Sequence, residues 1–191
     1  AILDRHPSLE SRIEAMPPHL LKTLALIANG AANDAIAKRL KVTEKSVENY
    51  TNSIFLELGI SNDGRYNPRV KAVLMYRDQL TADLRQAGLI DRQQYAFEFF
   101  KERLVIEPLK PIEYEVLSLV AQGFFNAYIA GKLFLREKSV ENCVNAIYKK
   151  LNIHSYEGTN PRVLAMLMFD RVPKPEGYKP REPQLAQLVG K

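Results

Sequence analysis

Apolar residues recur every three or four positions along much of the chain, and short polar or glycine-containing stretches interrupt them. Leu20, Leu21, Leu24 and Ile27 share one side of a helix that stops at Asn29-Gly30. Ile36, Ala37 and Leu40 form the apolar face of a short helix over 34–40, with Asn33 placed as its cap. The turn Lys41-Val42-Thr43 leads into a longer helix over 44–58. Thr43 suits its N-cap, Glu44 suits the positive end of its dipole, and Gly59 ends it. A fourth helix opens at Asn67-Pro68, with Asn as cap and Pro in the first turn, where its missing N–H costs nothing. The scheme then returns, as helices over 112–122, 126–133, 137–151 and 161–169.

The return is a repeat in sequence as well as in pattern. The stretch EKSVEN occupies 44–49 and again 137–142. The same offset, about 93 residues, holds without a gap from Pro18/Pro111 to Met75/Met168, and roughly 25 of about 60 positions are identical. The chain is an internal duplication. In each copy two helices are joined by a turn of three residues, the helix-turn-helix signature. On a helical wheel Val47, Thr51, Ile54 and Leu58 gather on one side of the second helix, and Val140, Val144, Ile147 and Leu151 do so in the other copy. Lys45, Asn49 and Asn52 lie opposite, matched by Lys138, Asn142 and Asn145. A core accounts for the repeated Val. It does not account for the repeated Lys, Ser, Glu and Asn, while neighbours such as Ala31/Phe124 and Leu56/Lys149 have diverged.

The fold class expected is all-α, with two tandem four-helix helix-turn-helix domains at 16–77 and 109–170 joined by a helical connector, 78–108. Residues 1–15 form an N-terminal helical extension. In the connector the fourth helix runs on to Gly88, and Asp91 caps a further helix with Tyr95, Phe99 and Leu104 among its apolar positions. An aromatic-rich helix between two domains is shared core, which would hold them in fixed relation. The tail, 171–191, is Pro-rich and basic, an extended segment suited to phosphates or to another protein.

Composition narrows the chemistry. No apolar run approaches the ~18 residues of a membrane span. The single cysteine, Cys143, excludes disulfide frameworks and Cys-based zinc sites, and His6, His19 and His154 have no metal-ligand spacing. There is no Gly-rich phosphate loop and no nucleophile–base spacing, so neither catalytic residues nor a metal or cofactor is expected. The net charge of +5 is uneven. The first repeat holds about +4, the second about +1, the connector about −2 and the tail about +3. Basic repeats with a basic tail fit a polyanionic partner. A reducing, cytoplasmic setting fits the cysteine usage.

At "EVLSLVAQG" followed by "NAYIAGKLFLREKSVENCVNAIYKKLNI" the chain resembles the LuxR/FixJ/NarL group of bacterial helix-turn-helix transcription factors, whose DNA-binding domain is of GerE type. The first repeat follows the pattern nearly as well. The apolar spacing, the Gly after the first helix, the Ile-Ala pair and the Lys-Ser-Val triplet all fall in register. The resemblance implies a four-helix domain whose third helix enters the major groove of double-stranded DNA, usually as a dimer joined through the fourth helix, in a bacterial, nucleoid-associated protein. By position, Lys45 and Ser46 fall where the family touches phosphates, and Glu48, Asn49 and Asn52 where it reads bases. Lys138, Ser139, Glu141, Asn142 and Asn145 are the second set. Asn can pair with adenine N6 and N7, Glu can accept from cytosine N4, and Lys or Ser contacts to phosphate fix register.

Departures from the family qualify this. Tyr50 and Cys143 stand where a His is common, and the extra basic residues some members carry on the recognition helix are missing. Arg136 replaces the N-cap Thr43, weakening the cap by about 1 kcal/mol but adding a phosphate contact. Phe125 and Tyr128 replace small or polar residues, and either extend the core or mark a partner surface. Neither a receiver nor a ligand-sensing domain fits before Met16, so the expectation is a fragment of a longer protein or a DNA-binding unit without its own input module.

Two copies in one chain would do the work of a family dimer, as an intrachain pseudo-dimer whose half-sites have fixed spacing. The fourth helices, "NPRVKAVLMY" and "NPRVLAMLMF", place Met75, Tyr76, Met168 and Phe169 at or near the seam, or each helix packs on its own core. The alternative to a DNA reader is a protein-binding adaptor, in which one or both repeats contact RNA polymerase or another regulator. A homodimer of the whole chain is a further level of assembly.

Overall fold

The computed structural model describes residues 8–61, 63–86, 107–153 and 157–180, and these are helical with two isolated β-bridges. A short α1 (Leu9–Glu14), capped by Ser8 Oγ accepting from the Ser11 N–H, sets Ile13 and Met16 into the first repeat's core. That repeat continues through α2 (Pro18–Ala28), α3 (Asn33–Leu40), α4 (Glu44–Glu57) and α5 (Pro68–Gln86). The second consists of α6 (Pro111–Ala121), α7 (Asn126–Leu133), α8 (Glu137–Lys150) and α9 (Pro161–Met168), followed by a 3-10 turn at Phe169–Arg171. Among the described residues no helix is long and apolar enough to cross a membrane. The connector helix expected after Asp91 and the end of the tail lie outside the described residues.

Each repeat closes over its own core. Leu24, Ile27, Ile36, Val47 and Ile54 are fully buried in the first, and Val116, Leu117, Ile129, Val140 and Leu164 in the second. Burying one such side chain stabilises by roughly 1.5–3 kcal/mol before entropy is counted. The tail does not leave the domain at once: Val172 is buried in the second core, and Tyr178 packs edge-on to Tyr114 at 4.9 Å.

Helix ends follow the sequence in most places. The Oδ1 atoms of Asn67 and Asn160 accept from the N–H groups of Val70 and Val163, both at 3.1 Å, as caps of α5 and α9. Asn33 and Asn126 do not cap. The N-cap positions belong to Ala32 and Phe125, neither of which has a capping side chain. The two Asn side chains accept instead from the guanidinium groups of Arg69 (2.8 Å) and Arg162 (3.0 Å), one helix away. A tertiary partner has displaced the local cap.

The repeats meet along a seam that repeats itself. Ala31 bridges Thr159, and Tyr66 bridges Phe124, so the α2–α3 loop of the first repeat crosses the segment before α9, and the segment before α5 crosses the α6–α7 loop. Ala32 N donates to Gly158 O (2.8 Å) as Phe125 N donates to Arg65 O (3.0 Å). Asn160 N donates to Gly30 O as Asn67 N donates to Gly123 O, both at 2.7 Å. Every partner maps onto its counterpart in the other repeat, which is the reciprocity of an isologous two-fold contact within one chain.

Glycine permits this approach. Gly30 and Gly123 have φ of +84° and +89°, and a Cβ on Gly30 would lie 2.7 Å from Leu164 Cδ2. Val163 and Met166 of α9 are buried in the core of the first repeat, with Arg77 donating to Met166 Sδ at 3.6 Å. Met75 and Tyr76 pack on the first repeat's core, where burial raises the Tyr76 pKa. Met168 is buried in the second core, and Phe169 lies 5.6 Å from Tyr114 there. On α9 the crossing side chains, Val163 and Met166, sit earlier than Met168 and Phe169. On α5, by contrast, Arg77, just beyond Tyr76, reaches Met166, and Met75 and Tyr76 pack on the cluster that includes Val163 and Met166. The loop backbones cross beside the helix starts.

Candidate nucleic-acid interface

The second helix of each helix-turn-helix motif starts under local control. In the first repeat Thr43 Oγ1 accepts from the Ser46 N–H at 3.1 Å and pairs with Ser46 Oγ at 2.9 Å. In the second, Arg136 provides no side-chain cap. Both preceding helices end in a left-handed residue that is not glycine, Lys41 (φ 56°) and Phe134 (φ 54°). The inward faces match. Val47, Thr51 and Ile54 are buried in α4, with Thr51 Oγ1 donating to Val47 O at 2.7 Å, and Val140, Val144 and Ile147 are buried in α8.

The outward faces carry the residues singled out from sequence. Lys45, Glu48, Asn49 and Asn52 on α4 are exposed, as are Arg136, Lys138, Ser139, Glu141, Asn142 and Asn145 at the start and along the face of α8. Ser46 is half-buried beneath Thr43. The side-chain amides of Asn49, Asn52, Asn142 and Asn145 make no hydrogen bond within the described residues, so all four have free donors and acceptors of the kind that read base edges. The lysines are not free. Lys45 Nζ lies 2.9 Å from Glu48, and Lys138 Nζ lies 2.9 Å from Glu141. The Glu48 hydrogen bond raises the Lys45 pKa. Pairs this exposed add little stability, but each sets a carboxylate beside the cation that would meet a phosphate.

Further along, the helices differ. Leu56 is 81% exposed on α4 where α8 has Lys149. The next lysine, Lys150, turns inward: it donates to Glu113 at 2.7 Å and to Pro108 O at 3.1 Å. Neither recognition helix is strongly basic. Tyr50 is half-buried against His19 (rings 4.8 Å apart), and Cys143 is half-buried, its thiol pKa pushed up by burial.

Two exposed side chains escaped the sequence reading. Leu56 lies one turn beyond Asn52 on the exposed face, and Phe134, 77% exposed, tips the turn of the second motif. The wheel that sets Val47 inward already turns Leu56 outward, whereas Phe134 lies in the turn, where helical periodicity assigns no side. Phe125 and Tyr128, left open between core and surface, divide between the two: both are half-buried, and Tyr128 stacks on buried Phe124 at 4.6 Å.

Arg69 and Arg162 brace the first helix of each motif. Arg69 donates to Asn33 Oδ1 and to Ala31 O (2.6 Å), and Arg162 donates to Asn126 Oδ1 and Phe124 O. Each ties the first helix of a motif to the residue at which the repeats cross. Burial lowers the Arg69 pKa to about 10, which leaves it charged at neutral pH.

The family model for bacterial regulatory proteins of the luxR family (GerE) matches residues 21–65 and again 107–158, together just over half of the chain. No curated protein and no solved structure matches it. The two matched segments coincide with the two helix-turn-helix motifs, and the family's role is DNA-binding regulation of transcription. The chain belongs to the luxR family of bacterial regulatory proteins, and it carries the family's helix-turn-helix domain in two tandem copies.

Proposed function

We propose that this protein is a sequence-specific regulator that reads two half-sites of double-stranded DNA with α4 and α8, as a pseudo-dimer within one chain. The observation that carries this is the reciprocal seam, in which the pairs 31/159 and 66/124 exchange equivalent backbone bonds. An isologous contact relates the two motifs by a pseudo-two-fold axis, as a symmetric dimer relates its subunits over a palindrome. The free amides of Asn49, Asn52, Asn142 and Asn145 supply base readout. Lys45, Ser46, Arg136, Lys138 and Ser139 supply phosphate contacts, and Glu48 and Glu141 read cytosine or restrain the lysines.

Selection from random-sequence duplex DNA tests this reading. A motif of two half-sites, with Asn49→Ala erasing one and Asn142→Ala the other, is the expected result. No enriched motif even at low salt would end it.

Exposed Phe134 favours a second reading for the second repeat, with α8 and its preceding turn meeting a protein such as RNA polymerase or another regulator. In that case only Asn49→Ala alters the motif, and binding through the second repeat resists salt.

A further inference from the structure

The two crossings of the seam share a backbone pattern and differ in side chains. Where Tyr66 meets Phe124, their rings stack at 4.9 Å, and Phe124 stacks in turn on Tyr128 at 4.6 Å. Three cations lie over this stack. Lys71 Nζ is 4.9 Å from the Tyr66 ring centre, Lys132 Nζ is 5.3 Å from that of Phe124, and the Arg65 guanidinium is 5.5 Å from that of Tyr128. Arg65, Tyr66 and Lys71 come from the first repeat, and Phe124, Tyr128 and Lys132 from the second. The cluster exists only when the repeats are docked.

At the other crossing Gly158, Leu164 and Arg39 stand in place of the three cations, and Thr159, Ala31 and Ala35 in place of the three rings. That crossing forms the same two backbone bonds. Docking therefore does not require the aromatic and cationic side chains. Among the described residues none of Arg65, Lys71 and Lys132 forms an ion pair. One carboxylate is close, that of Asp63, which accepts from the Arg65 backbone N–H at 2.9 Å. Cations gathered over one ring stack repel one another, and an anion between them relieves that repulsion.

The chemistry that fits is phosphate, and the source that fits is duplex DNA. Tyr128 and Lys132 lie on α7, the first helix of the second motif, the helix that crosses the DNA backbone in this architecture. On the two-half-site reading, a crossing beside the pseudo-two-fold axis would lie near the centre of the operator. The recognition helices bring little positive charge of their own. Resting on the two-half-site reading, we propose that Arg65, Lys71 and Lys132 form a composite clamp for backbone phosphates between the half-sites, on one side of the pseudo-axis only. The tandem thereby has a direction on its operator that a symmetric dimer lacks.

The test uses the full chain, a duplex holding both half-sites, and the variant Lys71→Gln/Lys132→Gln, which leaves the ring stack in place. An unchanged circular dichroism melt shows that the variant is folded. The expected result is unaltered half-site sequence preference with a salt slope (log K against log salt) shallower by about 0.9 for each phosphate that is no longer neutralised. Arg39→Gln, at the position matching Lys132, is expected to leave the slope as it is. Neutral methylphosphonate linkages are then stepped through the spacer on each strand. They weaken binding of the unaltered chain at positions to one side of centre and leave the variant indifferent there. A variant with the original slope, or with the same response to the neutral linkages, overturns the clamp while leaving the half-site reading intact. Absence of duplex binding by the unaltered chain overturns both.

Discussion

Arg162 donates from Nη2 to the carbonyl oxygen of Phe124, 38 residues away, and Phe124 is the residue that bridges Tyr66 of the other repeat. Its counterpart Arg69 holds Ala31, which bridges Thr159. One buried guanidinium per repeat thus fixes both the first helix of the motif and the loop that docks the repeats.

Replacing Arg162 by Met keeps the apolar stem but leaves Asn126 Oδ1 and the Phe124 carbonyl without this donor. The expected loss is about 2–3 kcal/mol, read as a lower urea midpoint, and Arg69→Met is expected to cost a similar amount. An unchanged midpoint would mean that water replaces the guanidinium and that the seam does not depend on it.

Three glycines separate backbone strain from seam contact. Gly64 has φ of +71° and open space around it, so Gly64→Ala is expected to cost only the left-handed penalty, about 1–2 kcal/mol. Gly123→Ala meets Val70 and Leu74 of the other repeat at ordinary contact distance, 3.6 and 3.7 Å, and is expected to cost little beyond that penalty. Gly30→Ala adds an overlap with Leu164 of the other repeat and is expected to cost roughly 1–3 kcal/mol more. A thermal melt of each, beside binding to a duplex with two half-sites, distinguishes them: Gly30→Ala alone is expected to impair both strongly.

The N-cap difference between the repeats gives opposed effects. Thr43→Ala is expected to destabilise by about 1 kcal/mol, and Arg136→Thr to stabilise by a similar amount. If Arg136 touches a phosphate, the stabilised variant also binds DNA with a shallower salt dependence. Equal salt slopes would remove Arg136 from the interface.

Glu113 should mark the second repeat's response to acid. Burial pushes its pKa up, but the Lys150 ammonium and the Lys110 N–H, both at 2.7 Å, outweigh this and hold it below the ordinary carboxylate value. The folded pKa is thus lower than the unfolded one. The contribution is fully present above the unfolded value and disappears as pH falls through the folded value. Urea midpoints at successively lower pH are expected to fall more steeply for the unaltered chain than for Glu113→Gln. Parallel curves would show that this ion pair does not govern acid stability.

Much of the fold was legible because it is local. The three- and four-residue apolar spacing, Thr43 before Glu44, and Asn67-Pro68 each act within a turn or two of helix. The exposed face of α4 and α8 followed from the same periodicity. The cap expected at Asn33 misled because an Asn before an apolar helix has the same local appearance whether it caps or meets a distant arginine. Leu56 was readable as outward from the same wheel, whereas Phe134 was not, because it lies in a turn where helical periodicity assigns no side.

The sequence by itself determined that the chain is helical, that it is duplicated, and that each copy holds a helix-turn-helix motif with a polar, Asn-bearing face. Those properties depend on neighbours a few residues apart and survive in any arrangement of the copies. The tertiary structure alone decided how the copies meet. Pairs such as Ala31 with Thr159 are joined through backbone groups that carry no side-chain signal, and the glycines that allow the approach resemble ordinary helix ends. It also decided that one crossing gathers aromatic rings and cations from both repeats while its counterpart has small residues, a leucine and a single arginine. That difference arises from residues far apart in the chain, brought together only when the seam closes.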